Sequence, residues 1–236
     1  MNDATFLMSI NQAIDACKDC KVYKGQRSSD EARKVVMPVI TSIGDYSKYV
    51  LDLQTKGEYD ILLQDDSMFQ FEKAKKEIIE NKRRKKYDYY RYCFIQSPIR
   101  RMTFQEYCQG IDDLEIAINE EYYREMYEHD SDMINNNFPF YLRYDVDYKG
   151  YQANSHSYAH LHIGFQEGCR LPVSLILTPK AFVCMTLKLV YSDLWRDEVV
   201  RLSNIKERIY SALKSQCQND KNPFWTPEEA KDLYLG

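Results

Sequence analysis

The chain has 236 residues, of which 44% are hydrophobic, and it carries a net charge of −4. It is therefore long enough to bury a sizeable core, and its total charge excludes general electrostatic attraction to nucleic acid. No apolar run of bilayer length is free of proline and charge, and no basic start precedes an apolar block, so the sequence predicts a cytoplasmic protein without a membrane span.

The first part of the chain is predicted to contain helices and one hairpin. An apolar stripe predicts a helix over residues 3–20, and a second helix is expected to begin at residue 29 or 30 and to pass Ile40. The sequence YDILLQDDSMFQFE at 59–72 has an apolar run and an alternating run on either side of a polar turn, which indicates a β-hairpin.

A charged segment follows this hairpin. Residues 73–86 read KAKKEIIENKRRKK, and most of them are good helix formers, so a helix is predicted here before an aromatic strand, YDYYRYCFI, at 87–95. The basic run at 81–86 has two readings. In the first, its cations bind a phosphate backbone while the tyrosines of the following strand stack on bases. In the second, it is a solvated helix end.

The middle of the chain is predicted to be helical. Thr103 precedes Glu106 by three residues, which is the spacing of a capping box, and the apolar residues of 111–130 stay in helical phase. His129 lies near the end of this helix, where the helix dipole alone accounts for it. The sequence NNNFP at 135–139 predicts a break.

Two later segments have the alternation of half-buried strands, namely residues 140–147 and residues 157–165. The connection between them has the length of a hairpin loop. If the strands are antiparallel and their apolar faces lie on one side, opposite residues must have an odd sum. One pairing of this kind sets three pairs opposite each other: Tyr144 and Leu161, Arg143 and His162, Asp145 and His160.

The chain is predicted to end in helices. A third short strand, CRLPVSL, follows the second one, and Thr178 with Pro179 marks the start of a helix that continues to Trp195. A last amphipathic helix is expected over residues 199–213, and the apolar tail should dock on the body or on a partner. The predicted fold is α+β, with a mostly antiparallel sheet flanked by N-terminal and C-terminal helices.

The chain is predicted to be a single domain over residues 1–236. Only 8 glycines and 7 prolines occur, and no stretch has the composition of a flexible linker. The half at 1–135 carries helices and the hairpin, and the half at 136–236 carries the histidine-bearing sheet and the C-terminal helices.

Three of the four histidines lie within residues 156–162, and strand alternation gathers them with charged groups on one face that we expect to be open to water. We call this set the polar cluster. It consists of His156, His160, His162, Arg143, Asp145 and Arg170.

The polar cluster suits three roles. In a metal-independent ribonuclease, one imidazole takes the proton of a ribose 2′-hydroxyl, a second protonates the leaving oxygen, and Arg143 and Arg170 steady the phosphate. Asp145 would then fix a histidine tautomer and raise the pKa of its partner. In a metal site, the three histidines bind Zn²⁺ or another divalent ion, with Asp145 or water as the fourth ligand. In the third role, the cluster is a structural hydrogen-bonded network.

Several segments carry a resemblance to known families. FYLRYDVD, HSYAHLHIGF and RLPVSLILTPKAF together resemble the core of a bacterial family known only as a domain of unknown function, and YDILLQDDSMFQF and YRYCF look like its N-terminal segments. The combination RYD, histidine cluster and downstream serine is similar to TumE-type toxins of bacterial toxin–antitoxin pairs, which are thought to be nucleases. The residues that carry this second pattern are Arg143, Tyr144, Asp145, His156, His160 and His162.

The leading hypothesis is a metal-independent endoribonuclease-like effector of a toxin–antitoxin or phage-defence system. It implies RNA as substrate, an antitoxin or defence-complex protein as partner, and no cofactor. The first alternative is a non-catalytic interaction subunit whose sheet and C-terminal tail dock a partner protein. The second is a metal-dependent hydrolase that uses the same histidines. No P-loop or dinucleotide-binding loop occurs in the sequence.

Overall fold

The computed structural model describes residues 1–27, 35, 40–80, 83–102, 104–165, 170–210, 217, 222–231 and 234–235. Its fold is α+β, as the sequence predicted: a mostly antiparallel sheet with helices near both ends of the chain. No helix within these residues has the length and apolar character needed to cross a membrane.

The main sheet has seven strands in the order β1-β2-β3-β4-β7-β8-β9, and every neighbouring pair is antiparallel. Every neighbouring pair in the sheet consists of consecutive strands of the chain, except the pair of β4 and β7. The strands are β1 (Tyr23–Gln26), β2 (Ile61–Leu63), β3 (Met68–Glu80), β4 (Arg83–Ile95), β7 (Tyr141–Val146), β8 (Ala159–Ile163) and β9 (Arg170–Pro172).

The segment between β4 and β7 forms a separate small unit. It holds a two-stranded sheet of β5 (Ile99–Arg101) and β6 (Met133–Asn135) with helices α3 (Phe104–Tyr107), α4 (Asp113–Ile118) and α5 (Glu120–Asp130). Backbone hydrogen bonds close its base, from Gln96 N to Phe140 O (3.1 Å) and from Asn136 N to Pro98 O (2.7 Å). The insertion therefore leaves the pairing of β4 with β7 intact.

One face of the main sheet packs against α1 (Asp3–Asp19) and α6 (Pro179–Val190). Asn2 caps α1 by accepting a hydrogen bond from Thr5 N, and Thr178 caps α6 by accepting one from Ala181 N. Both caps match the predicted helix starts. Fully buried Phe182 sits at the centre of this layer, with its ring 5.7 Å from the Tyr92 ring.

The other face packs in part against α2 (Ile43–Lys56). Tyr46, Val50 and Leu53 of this helix form a second, smaller core with sheet residues that include Met68 and Ile95. Gly57 ends α2 in the left-handed conformation at φ 64°, which favours glycine. The sheet is thus covered by helices on both faces.

The remaining helices complete the C-terminal part of the chain. α6 ends at Val190 and not at Trp195, because Tyr191 leaves helical backbone angles. It is followed by α7 (Ser192–Leu194), a π-helix (Trp195–Val200), α8 (Ser203–Tyr210) and a 3-10 helix (Glu229–Lys231). The tail docks on the body, as one of the two expectations had it: Leu235 bridges Val173, and the Tyr151 hydroxyl donates to the Phe224 carbonyl (3.0 Å).

Residues 73–86 are not helical, and that prediction is wrong. β3 and β4 instead pair along their whole length, with Lys75 opposite Asp88 and Glu77 opposite Lys86. Helix propensity is a weak preference, and a long aromatic partner strand with oppositely charged cross-strand neighbours outweighs it. The predicted hairpin at 59–72 is confirmed as the pair β2 and β3.

Two other predicted features differ from the structure, and a third group lies outside the described residues. The single helix at 111–130 is two helices, because the backbone at Asn119 (φ −116°, ψ 30°) interrupts it. Phe165 does not continue the apolar face of its strand, since Gly164 takes a φ of 76° and Phe165 stacks on Tyr141 beside α2. The predicted helix at 29–40, Thr103 and the end of the helix at 199–213 lie wholly or largely outside the described residues.

Phe182→Ala should lower the free energy of unfolding by about 3–5 kcal/mol, because it leaves a large cavity between α6 and the sheet. Leu189→Ala is the matched control, since Leu189 lies on the same helix and is 61% exposed. Urea denaturation followed by far-UV circular dichroism measures both. Equal losses in the two variants would contradict this packing.

Candidate functional site

The polar cluster lies on the face of the sheet that α2 partly covers, where four strands run side by side. Residues directly opposite each other in a sheet point to the same face. The register aligns Arg91, Asp145 and His160 in one row across β4, β7 and β8. The next row continues into β9 and holds Cys93, Arg143, His162 and Arg170.

The predicted pairing of β7 with β8 is confirmed. Arg143 lies opposite His162, Asp145 lies opposite His160, and Tyr144 lies opposite Leu161. Arg170 joins the cluster from β9, opposite His162. The His160 ring centroid is 4.8 Å from that of His162 and 5.0 Å from that of His156, so the structure brings all six predicted residues together.

Asp145 is the centre of the charges in the cluster. Arg91 binds it with two nitrogens, Nε to Oδ1 at 2.7 Å and Nη2 to Oδ2 at 3.3 Å. The Nε atom of Arg143 lies 2.9 Å from Oδ2. Burial alone would raise the pKa of Asp145, but the guanidinium groups of Arg91 and Arg143 outweigh it and lower the pKa below its usual value.

His160 is held in one tautomer by the backbone. Its Nδ1 atom lies 2.6 Å from the carbonyl oxygen of Ser157, which can only accept, so Nδ1 carries the proton. Burial lowers the pKa of His160 to about 4, although Asp145 acts in the opposite direction. The ring is therefore neutral near pH 7, and its Nε2 atom carries the lone pair.

His162 is also neutral. Burial, followed by the charge of Arg143, lowers its pKa to about 3. Its Nε2 atom lies 3.6 Å from Asp145 Oδ2, and its buried Nδ1 atom has no hydrogen-bond partner among the described residues. A buried ring nitrogen without a partner is costly, which indicates that packing alone does not explain this residue.

The expectation of an open, water-reachable face is wrong for four of the six residues. Arg143, Asp145, His160 and His162 are 6%, 4%, 1% and 2% exposed, respectively. The predicted rise in histidine pKa fails for the same reason, since burial outweighs the carboxylate. Only His156 and Arg170 are half-buried, so solvent reaches the cluster at that edge.

Val35 also contacts this polar face. Val35 is buried, and its N–H donates to Glu72 Oε2 (2.9 Å). Glu72 lies opposite Arg91 on β3 and therefore extends the row of Asp145 by one more charged residue. This second carboxylate was not predicted as part of the site.

The loop before β8 holds His156 at the exposed edge. Backbone hydrogen bonds link Gln152 and His156 in both directions (2.8 and 3.0 Å). Gly150 has a φ of 79°, and a Cβ atom built there would lie 2.9 Å from His156 Nδ1. Only glycine therefore suits both the backbone angle and the space beside the His156 ring.

Asp145, His160 and His162 offer ligand atoms that all lie within 4.8 Å of one another, which is a candidate metal site. Both imidazoles are neutral, and His160 donates its other ring N–H to a carbonyl, as metal-binding histidines do. Both Asp145 oxygens are nevertheless bound by arginines, which a cation would have to displace. The donor set fits a metal, whereas the surrounding charge favours an anion.

Sequence reasoning missed Arg91, Glu72 and Ser157. Arg91 lies within the predicted strand YDYYRYCFI, so strand alternation was enough to predict which face of the strand its side chain is on. Its contact with Asp145 depends on β4 being next to β7, and the 45 residues between Ile95 and Tyr141 give no signal of that pairing. Glu72 and Ser157 had no distinguishing pattern.

A protein-family model described as "Uncharacterized conserved protein (DUF2290)" matches residues 16–236. This is consistent with the resemblance that the strand motifs carry. No curated protein and no solved structure matches the chain. The comparisons therefore bring no activity, substrate or cofactor with them.

We expect the free energy of unfolding to fall as the pH falls from 6.5 to 4.5. The folded-state pKa values of His160 and His162, about 4 and about 3, lie below the ordinary 6.5, so the unfolded chain binds more protons in this range. The loss should be on the order of 1 kcal/mol per pH unit for each histidine.

Urea denaturation at pH 6.5, 5.5 and 4.5 measures this slope. His160→Gln and His162→Gln should each flatten it, because glutamine does not titrate. His129→Gln, on an exposed helix surface, should leave it unchanged. An unchanged slope in both cluster variants would show that these histidines are not held neutral by burial.

Proposed function

The chain belongs to the DUF2290 family of uncharacterized conserved proteins, and we propose that it is a metal-independent endoribonuclease-like effector. The observation that carries the proposal is the alternation of imidazole and guanidinium groups across β4, β7, β8 and β9 around one carboxylate. The toxin–antitoxin or phage-defence setting, with an antitoxin or defence-complex protein as partner, follows only from the similarity of the RYD and histidine motifs to TumE-type toxins.

The charge of the cluster supports an anionic ligand. Three guanidinium groups, those of Arg91, Arg143 and Arg170, face two carboxylates, those of Asp145 and Glu72. The buried histidines are neutral and add no charge. Burying charged groups costs free energy that an apolar core would not, so a cluster of this kind favours a functional role over a structural one.

The exposed edge at His156 and Arg170 is where a phosphodiester would bind. Arg170 would hold the phosphate. His160 is 1% exposed, and its ring lies 5.0 Å from that of His156, so its Nε2 lone pair would take the proton of the 2′-hydroxyl after this edge opens on binding. The 2′-oxygen then bonds to phosphorus, the bond from phosphorus to the 5′-oxygen breaks, and His156 would supply the proton for that leaving oxygen. The products are a 2′,3′-cyclic phosphate and a 5′-hydroxyl, and no metal takes part.

Purified protein should cleave single-stranded RNA in the presence of EDTA and leave 2′,3′-cyclic phosphate ends. His156→Ala should lower kcat by a factor of roughly 10² to 10⁴, as expected for loss of a general acid, with an unchanged melting temperature. His129→Ala is the matched control, because His129 is exposed and lies on α5, outside the polar cluster. Absence of cleavage by the wild type, or full activity of His156→Ala, would refute the proposal.

A second candidate is a metal-dependent hydrolase, which the close ligand atoms of Asp145, His160 and His162 favour. Zn²⁺ or another divalent ion bound there would activate a water molecule. Elemental analysis of the purified protein should then find one metal ion per chain, and EDTA should abolish activity. Activity that persists in EDTA, in protein without bound metal, supports the ribonuclease instead.

A further inference from the structure

The hairpin of β3 and β4 extends beyond the main sheet. β4 pairs with β7 from Tyr90 to Ile95, and within the part of the chain that the structure describes, the earlier part of β4 pairs with β3 alone. We call residues 75–80 and 83–88 the basic arm. At a rise of about 3.3 Å per residue, this two-stranded ribbon is about 20 Å long.

The basic arm carries a local charge opposite in sign to that of the whole chain. Its residues, 75–80 and 83–88, contain six Lys or Arg and three Asp or Glu, a net charge of +3 in a chain with a total of −4. Arg83, Arg84, Lys85 and Lys86 are consecutive and exposed. Successive strand residues point to opposite faces, so both faces of the ribbon present cations.

The ion pairs within the basic arm do not cancel this charge. Lys75 lies 3.7 Å from Asp88, and Lys86 lies 3.5 Å from Glu77. All four side chains are more than a third exposed, and exposed pairs of this kind contribute little and are screened by salt. The exposed side chains of Arg83 and Arg84 are therefore accessible to a polyanion.

The tyrosines of this hairpin anchor it and do not stack on bases. Tyr87 and Tyr89 are 9% and 2% exposed. The Tyr87 hydroxyl donates to Asp147 (2.8 Å), and Lys76 Nζ lies 3.1 Å from the Tyr89 ring centroid. Base stacking here, one reading of the sequence, is thus wrong, and the basic arm is left with contacts to phosphates, which carry no sequence information.

The base of the basic arm contacts the loop that holds His156. The Tyr87 ring centroid is 5.8 Å from that of Tyr148, and Lys85 Nζ is 5.7 Å from the same Tyr148 ring. Tyr148 lies two residues before Gly150, which packs against the His156 ring. A polyanion bound along the basic arm therefore leads to the exposed edge of the polar cluster.

We propose that the basic arm binds the phosphate backbone of single-stranded RNA, independently of sequence, and directs it toward His156 and Arg170. This inference rests on the proposed function, because that function supplies the substrate class. A phosphate backbone fits the arm better than an apolar protein surface does, since cations occupy both faces of the ribbon.

The experiment measures binding of fluorescent 20-nucleotide oligo(U) and oligo(A) by anisotropy at several salt concentrations. Arg83→Gln with Arg84→Gln should weaken binding of both RNAs about tenfold and lower the slope of log affinity against log salt by about 1 to 2. Arg196→Gln with Arg201→Gln is the matched control, because it removes the same charge from exposed arginines near the π-helix. It should change neither quantity.

The outcomes separate the basic arm from the active site. Loss of affinity with normal cleavage at saturating RNA supports the arm, whereas His156→Ala should lose cleavage and keep affinity. RNA binding that the arm variant retains would overturn this inference and leave the proposed function standing. No RNA binding by the wild type, tighter binding to duplex DNA, or binding only to anionic vesicles or acidic proteins would also overturn it.

Discussion

The polar cluster depends on one buried carboxylate between two guanidinium groups. Asp145 on β7 binds Arg91 of the neighbouring strand and Arg143 of its own strand. Neither the acid nor Arg143 has water to solvate it, so each requires the other, and breaking such a pair typically costs about 3–5 kcal/mol. Burial keeps both histidines neutral, and the third guanidinium group, that of Arg170, gives the cluster its excess of positive charge.

The two faces of the sheet differ in composition, because successive residues of each strand point to opposite faces. One face is aromatic and aliphatic, and it packs against α1 and α6. The other forms the second core with α2, and its polar part lies beside that core. The apolar face therefore holds the strands in register, and this register aligns Arg91, Asp145 and His160 on the opposite side.

Strand alternation and helix-cap motifs predicted the features that depend on residues close together in the chain. Alternation alone was enough to set Arg143 opposite His162, and a cap with proline was enough to begin α6 at Pro179. The burial of His160 was not predictable in this way, because alternation shows which face of the sheet a residue points to but not whether another part of the chain covers that face. Residues 73–86 were mistaken for a helix because their strand partner, not their own composition, decides their conformation.

The insertion between β4 and β7 is closed at its base by hydrogen bonds at Gln96 and Asn136. Those bonds fix the distance between the two strand ends, and the entropy cost of closing the intervening chain grows only slowly with its length. Evolution is thereby free to lengthen, shorten or replace this unit as a module. Differences between relatives should accumulate there before they reach the chemistry of the sheet.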